Sequence, residues 1–289
     1  GERWFEYLRF LGIVQHTDPA RLAPEKILFS SVTAGDFMPV PDSKIAVFSA
    51  GRGWHTKLIR TADAGKTWQV VDTELRHNLF VRFHRQDTSV VYADRQRSDD
   101  AGQSFQAIGK RVIGMFEGNS DIVYGVGADG GDDRSMIYRS DDRGRTWRPF
   151  AQDANPRPFS PAAVFTAHPT DPDVIYTAAR NGDPARYDAK SGSWEVFDLL
   201  SRTKRDDAPR RETLKGVAID PRHPDTLYVL VQAVGSSAVF RSHDRGATWE
   251  DISGNLPRMP RFLEVHPLTG DVYYGCLGGG VYVLAQPGR

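Results

Sequence analysis

The residues of this chain best suited to chemistry sit in short Gly-rich or Arg-rich stretches between apolar runs. Gly51-Arg52-Gly53-Trp54-His55 brings a guanidinium, an indole and an imidazole together. An indole in a Gly-rich loop is a natural stacking surface for a sugar ring, and His55 could move a proton near neutral pH. The structural alternative packs Trp54 beneath its own loop and leaves His55 incidental. Further stretches of the same kind are Asp94-Arg95-Gln96, Gly127 to Arg134 with Asp129, Asp132 and Asp133, and Arg180-Asn181-Gly182-Asp183. Others hold Arg76-His77, Lys110-Arg111, Arg157, Arg258 and Arg261, and a long polar segment from Ser201 carries Arg210, Arg211 and Glu212.

Guanidinium groups make forked hydrogen bonds to carboxylates and sulfates, so arginines converging from many loops imply an anionic ligand. Arg52, Trp54, His55, Arg76, His77, Arg95, Arg134, Arg180 and Arg211 are the candidate binding residues. Against this, an exposed arginine is often merely solvated or paired locally, and Asp206, Asp207 and Glu212 lie in the same segment as Arg211. A glycosidase needs two carboxyl groups about 5–10 Å apart, for which Asp132, Asp133 and Glu212 are candidates beside Asp129 and Glu74. A lyase needs a neutralising arginine with a basic side chain, and Arg52, His55 and His77 have that composition. No histidine or cysteine pattern has zinc spacing and no Gly-rich loop leads into a helix, so neither a metal nor a cofactor is expected.

The bulk composition narrows the partners. The 37 basic and 37 acidic residues cancel, so no global field recruits nucleic acid or an acidic membrane. No apolar run approaches a membrane span. Cys276 is the only cysteine, which excludes a disulfide-stapled scaffold. No secretory leader precedes Gly1, as expected of a mature form or an excised domain.

The elements that position these loops are repeats. Arg60-Thr61-Ala62-Asp63-Ala64-Gly65-Lys66-Thr67-Trp68 returns as Arg97 to Phe105, Arg139 to Trp147 and Arg241 to Trp249. A worn copy runs from Asp188 to Trp194. Asp63 and its counterparts can fold a carboxylate back onto turn amides, and Gly65, Gly102, Gly144 and Gly246 supply the positive φ of such a turn. A second motif precedes each copy: a strand, a turn rich in Pro, Asp and Gly, and an apolar strand, as at His168-Pro169-Thr170-Asp171 before Val174-Ile175-Tyr176. His84, His168, His223 and His266 all fall in these turns and read as turn residues. Four antiparallel strands repeated at roughly 40–50 residues form a propeller blade.

The nine-residue segments resemble the Asp-box (BNR) repeat, Ser-x-Asp-x-Gly-x-Thr-Trp, of the sialidase and xyloglucanase-like superfamily. The resemblance implies an all-β chain: a β-propeller of four-stranded antiparallel blades forming a single domain over 1–289. The units fall at about 31–73, 78–109, 111–151, 161–199, 213–253 and 261–285, the last completed by residues 1–8, whose strand would close the ring. Six blades follow from this count, with seven left open by residues 9–30. In such families the boxes lie on the rim away from the ligand, so the Gly-rich and Arg-rich loops would form the functional face. The resemblance further implies a glycan-active or glycan-binding protein of extracellular or periplasmic location. An anionic polysaccharide is the expected ligand, and glycoside hydrolase or polysaccharide lyase chemistry the form any activity would take. The competing reading is a non-catalytic propeller that engages another protein or domain. Two departures matter. The Arg-Ile-Pro tripeptide of sialidases is absent, so their catalytic residues cannot be carried over. The xyloglucan-cleaving branch places its carboxylates between two tandem propellers, whereas this chain has length for one.

Overall fold

A computed structural model describes residues 32–50, 57–71, 80–127, 136–151, 164–179, 182–200, 213–233, 236–254, 256, 260–266, 268–276 and 280–284. Runs of two to seven residues, most of them apolar and broken by Pro, Asp and Gly, fold as strands that pair with their sequence neighbours. The first sheet holds β1 (Val32–Phe37), β2 (Ala46–Ala50), β3 (Lys57–Thr61) and β4 (Gln69–Val71); the second holds β5 (Val81–Phe83), β6 (Val91–Ala93), β7 (Gln96–Ser98) and β8 (Gln106–Ala107). The third comprises β9 (Arg111–Met115), β10 (Val123–Val126), β11 (Ile137–Ser140) and β12 (Arg148–Ala151). The fourth comprises β13 (Phe165–Ala167), β14 (Val174–Ala178), β15 (Pro184–Asp188) and β16 (Ser193–Val196). The fifth contains β17 (Thr213–Ile219), β18 (Leu227–Ala233), β19 (Ser236–Ser242) and β20 (Glu250–Asp251). The sixth has β21 (Pro260–Val265), β22 (Val272–Cys276) and β23 (Gly280–Leu284).

All pairings are antiparallel meanders in strict order, as the repeat predicts. The first strands of successive sheets pack side by side, β1 on β5, β9 on β13, β13 on β17 and β17 on β21, and so form the inner layer. This is the propeller architecture. The segment proposed to complete the sixth sheet, residues 1–8, lies outside the described residues.

The second strand of each sheet runs through the middle of the apolar layers and is the most deeply buried. Tyr92, Tyr124, Tyr176 and Tyr228 recur at one place on it, all essentially inaccessible. Their rings fill the space between sheets: Tyr124 packs on Phe165 of the next sheet as well as on Phe150 of its own. Each core cluster therefore mostly spans two sheets, and burial at the seams, rather than within a sheet, holds the domain together. Among the described residues no helix is long and apolar enough to cross a membrane.

Candidate functional site

The boxes set where each sheet turns, and their geometry is the same four times over. Asp142 Oδ1 accepts the Thr146 amide at 2.8 Å while Oδ2 accepts the Thr146 hydroxyl at 2.6 Å. Asp63 with Thr67, Asp100 with Ser104 and Asp244 with Thr248 repeat the pair. The hydroxyl that opens the box, Ser140 or its counterpart, accepts the glycine amide at 2.8 Å and donates to the same carboxylate. These bonds stabilise the ionised form. The Thr67 hydroxyl and amide draw Asp63 down to about 2. At Asp142 burial works upward, but the Thr146 and Ser140 bonds outweigh it and the group again falls to about 2. The glycines have positive φ as expected, and so do the residues just before them, Ala64, Ala101, Arg143 and Arg245.

The arginine at the head of three of the four boxes ties one sheet to the next, whereas Arg241 pairs with Glu250 of its own sheet. Arg60 Nε donates to the Ala101 carbonyl at 2.8 Å, and Arg139 donates to the Pro172 carbonyl at 3.2 Å and to Asp173 at 2.7 Å. Arg60, Arg97 and Arg139 are buried. The turn histidines are structural too. His84 Nδ1 accepts the Gln86 and Asp87 amides, and His266 Nδ1 accepts those of Leu268 and Thr269. In the fifth sheet Asp220, not His223, takes that place and accepts the Arg222 amide at 2.9 Å. Among the described residues no group of three or more His, Cys, Asp or Glu could hold a metal ion.

On the opposite face Arg95 is the one candidate binding residue among the described residues. It lies half-buried in the turn between β6 and β7, where its carbonyl accepts the Ile108 amide at 2.8 Å. His55, Asp132, Asp133, Glu212, Arg52, Trp54, Arg76, His77, Arg134, Arg180 and Arg211 lie outside the described residues. Two neighbours of those loops have defined roles. Asp183 is buried and accepts the Leu199 and Leu200 amides at 3.1 and 2.7 Å, stapling the chain as it leaves the fourth sheet. Lys110 Nζ stands 3.6 Å above the Tyr138 ring, a cation–π contact at the seam between the second and third sheets.

The inner strands add a pair that reasoning from loops alone missed. Arg82 on β5 and Glu264 on β21 are close enough to influence one another, and Glu117 joins them. Glu264 is open to solvent, yet the protein atoms crowded around it raise its carboxyl above the ordinary value, against the pull of Arg82. Arg82 also donates to the Gly35 carbonyl at 3.4 Å, so it spans the seam between the first two sheets.

A family model described as the BNR-Asp box repeat matches residues 137–149 and 239–252, two of the four box turns. The chain is an Asp-box β-propeller. The propeller is 27% identical to a xyloglucanase of Paenibacillus sp over 224 residues, which is 73% of this chain and 20% of that protein. Its fold matches the GH74 xyloglucanase from Xanthomonas campestris with a TM-score of 0.68 at 17% identity, covering 91% of this chain and 46% of that one. It also matches a structure of YCF48 bound to D1 peptide, with a TM-score of 0.57 at 17% identity, covering 90% of this chain and 80% of that one. The propeller thus spans about a fifth of the length of the curated relative and under half of the solved xyloglucanase.

The signal for the inner pair was present in the propeller's sequence. Arg82 lies between Val81 and Phe83, and Glu264 between Leu263 and Val265, charges at alternate positions of otherwise apolar strands. Period-two alternation turns such residues to the face away from the core.

Proposed function

We propose that this propeller binds a polysaccharide through the loops opposite its Asp boxes. The observation that carries the reading is the match to a xyloglucanase across 73% of the chain. The fold held in common with the Xanthomonas campestris enzyme over 91% of the chain supports it. Arg52, Arg76, Arg95, Arg134, Arg180 and Arg211 favour an acidic chain, since forked guanidinium bonds match carboxylates and sulfates. Trp54 offers the stacking surface that a pyranose ring needs. Such recognition belongs to the extracellular or periplasmic space.

The test is calorimetric titration with xyloglucan and with polygalacturonate, alongside Arg52→Ala and Arg180→Ala. Binding to either polysaccharide that weakens about tenfold in the variants supports the loop face. Preference for polygalacturonate, reduced by salt, supports the acidic ligand. No affinity for either polymer, or unchanged binding in both variants, overturns the reading.

A further inference from the structure

Two seams on the Asp-box side carry the same four residue types at corresponding positions. Between the second and third sheets they are His84, Asp87, Asp121 and Arg143; between the fourth and fifth they are His168, Asp171, Asp225 and Arg245. Each histidine directly follows an inner strand, and each arginine directly precedes a box glycine.

At the first seam the four groups close on one another. Arg143 donates from Nε to Asp121 at 2.6 Å and from Nη1 to Asp87 at 2.5 Å, while His84 Nε2 lies 2.8 Å from Asp121. The backbone amides on His84 Nδ1 put the imidazole proton on Nε2, so that nitrogen is the donor.

At the second seam the same set stays open. Arg245 Nε holds Asp225 at 2.5 Å, as Arg143 holds Asp121. Asp171, however, is bound at 2.8 Å by Lys190, which the worn box supplies. His168 Nδ1 faces the Thr170 amide at 3.4 Å, leaving Nε2–H as the free donor. Among the described residues neither that nitrogen nor the terminal nitrogens of Arg245 have a partner. The strut is missing as well: Arg186, the counterpart of Arg139, pairs with Asp188 and Glu195 of its own sheet.

A cleft of about 820 Å³ occupies the place where the seam stays open, with His168, Arg245 and Asp225 in its wall. Arg222 and His223 also line it, but both are engaged by Asp220. Beneath it Tyr176, Phe197 and Val229 keep the two sheets packed, so the opening is confined to the polar rim.

We infer that this cleft is a carboxylate-binding site, in which the ligand takes the place at Arg245 that the Asp87 carboxylate holds at Arg143. The incoming carboxylate accepts from the Arg245 terminal nitrogens, and the His168 ring shares the cleft wall and reports on its arrival. Asp225 does not forbid it: at the closed seam one guanidinium already serves two carboxylates, Asp87 and Asp121. The inference concerns the face opposite the proposed glycan loops and does not depend on them.

Histidine side-chain NMR on the whole chain tests it, with sodium acetate titrated against chloride at constant ionic strength. Saturable shifts of the His168 ring are expected, with roughly tenfold or greater weakening in Arg245→Gln. Lys190→Ala should also weaken acetate binding, because it frees Asp171 to fill the site from within. Adding Asp171→Asn to that variant should restore binding, which a merely damaged fold would not do. Repeating the titration with glucuronate and with N-acetyl-aspartate amide separates a sugar acid from an acidic side chain, the tighter probe naming the source. Shifts that rise linearly with acetate, or that persist unchanged in Arg245→Gln, overturn the inference.

Discussion

Arg97 reaches out of its own sheet and donates from Nη1 to the main-chain carbonyl of Arg143, 3.0 Å away in the next Asp box. The same guanidinium binds Asp99 beside it, so both its charge and its reach are used. Arg97→Ala leaves a carbonyl without its donor at a buried seam and should lower stability by about 2–3 kcal/mol. Arg97→Lys should recover less than half of that, because a point charge cannot serve two acceptors in fixed geometry. Urea unfolding midpoints decide it, and equal stability of all three proteins would remove the strut from the account.

The box carboxylates predict an acid transition. Asp63, Asp100, Asp142 and Asp244 all stand at about 2, below the ordinary 3.8. A carboxyl depressed in the folded state stabilises it fully above the unfolded value, and that contribution is lost as pH falls through the folded one. Melting temperature should therefore be level down to about pH 5 and drop between about pH 4 and pH 2. Asp142→Asn should melt lower at neutral pH and show a shallower drop. A profile identical in slope to that of the parent would exclude Asp142 as a contributor.

Two glycines with positive φ separate space from conformation. A Cβ on Gly102 would lie 2.5 Å from Val47 Cγ2 in the neighbouring sheet, whereas one on Gly192 meets nothing within 4 Å. Gly192→Ala should cost about 1 kcal/mol for the left-handed backbone alone. Gly102→Ala adds overpacking at a seam, worth roughly 1–3 kcal/mol more. Thermal melts that rank the two variants the other way would contradict the packing described here.

Glu264 carries the opposite sign to the box residues. Its carboxyl is raised by desolvation, an effect that solvent screens because the side chain is exposed, so the folded state holds that proton somewhat more tightly than the unfolded chain does. The group favours folding most below its unfolded value of 4.5 and loses that contribution as pH rises through the folded one. Glu264→Gln should be neutral to modestly stabilising at pH 7, with the difference vanishing in acid. A variant clearly less stable at pH 7 would mean that the ionised carboxylate is held by Arg82 more strongly than desolvation opposes it.

The scaffold was legible because its signals are local. The box carboxylate, the glycine after it and the Thr or Ser beyond lie within five residues, so Asp142 and Thr146 could be paired on paper. The left-handed residues at Ala64 and Arg143 were not foreseen, since neither type favours that conformation. The turn requires two such residues in succession, and the sequence marks only the second with glycine. The role of Arg60, Arg97 and Arg139 was likewise missed. Their recurrence at one place in each box was visible, but their partners lie in the following repeat. His168 and Arg245 show the limit of such reading most clearly, because only packing of two sheets brings them to one cleft. Of the loop residues singled out for binding, Arg95 alone falls among those described, so the sequence remains the source for the rest.

The struts from Arg60, Arg97 and Arg139 run unbroken from the first sheet to the fourth, and Arg186 ends the series by turning back on its own sheet. Mechanical load passed along the box rim is therefore carried by hydrogen-bonded charges up to that point and by apolar contact beyond it. At the worn repeat no box arginine links the fourth sheet to the fifth, and the directed tie between them moves to the inner strands, where the Thr166 hydroxyl donates to the Val217 carbonyl at 2.6 Å.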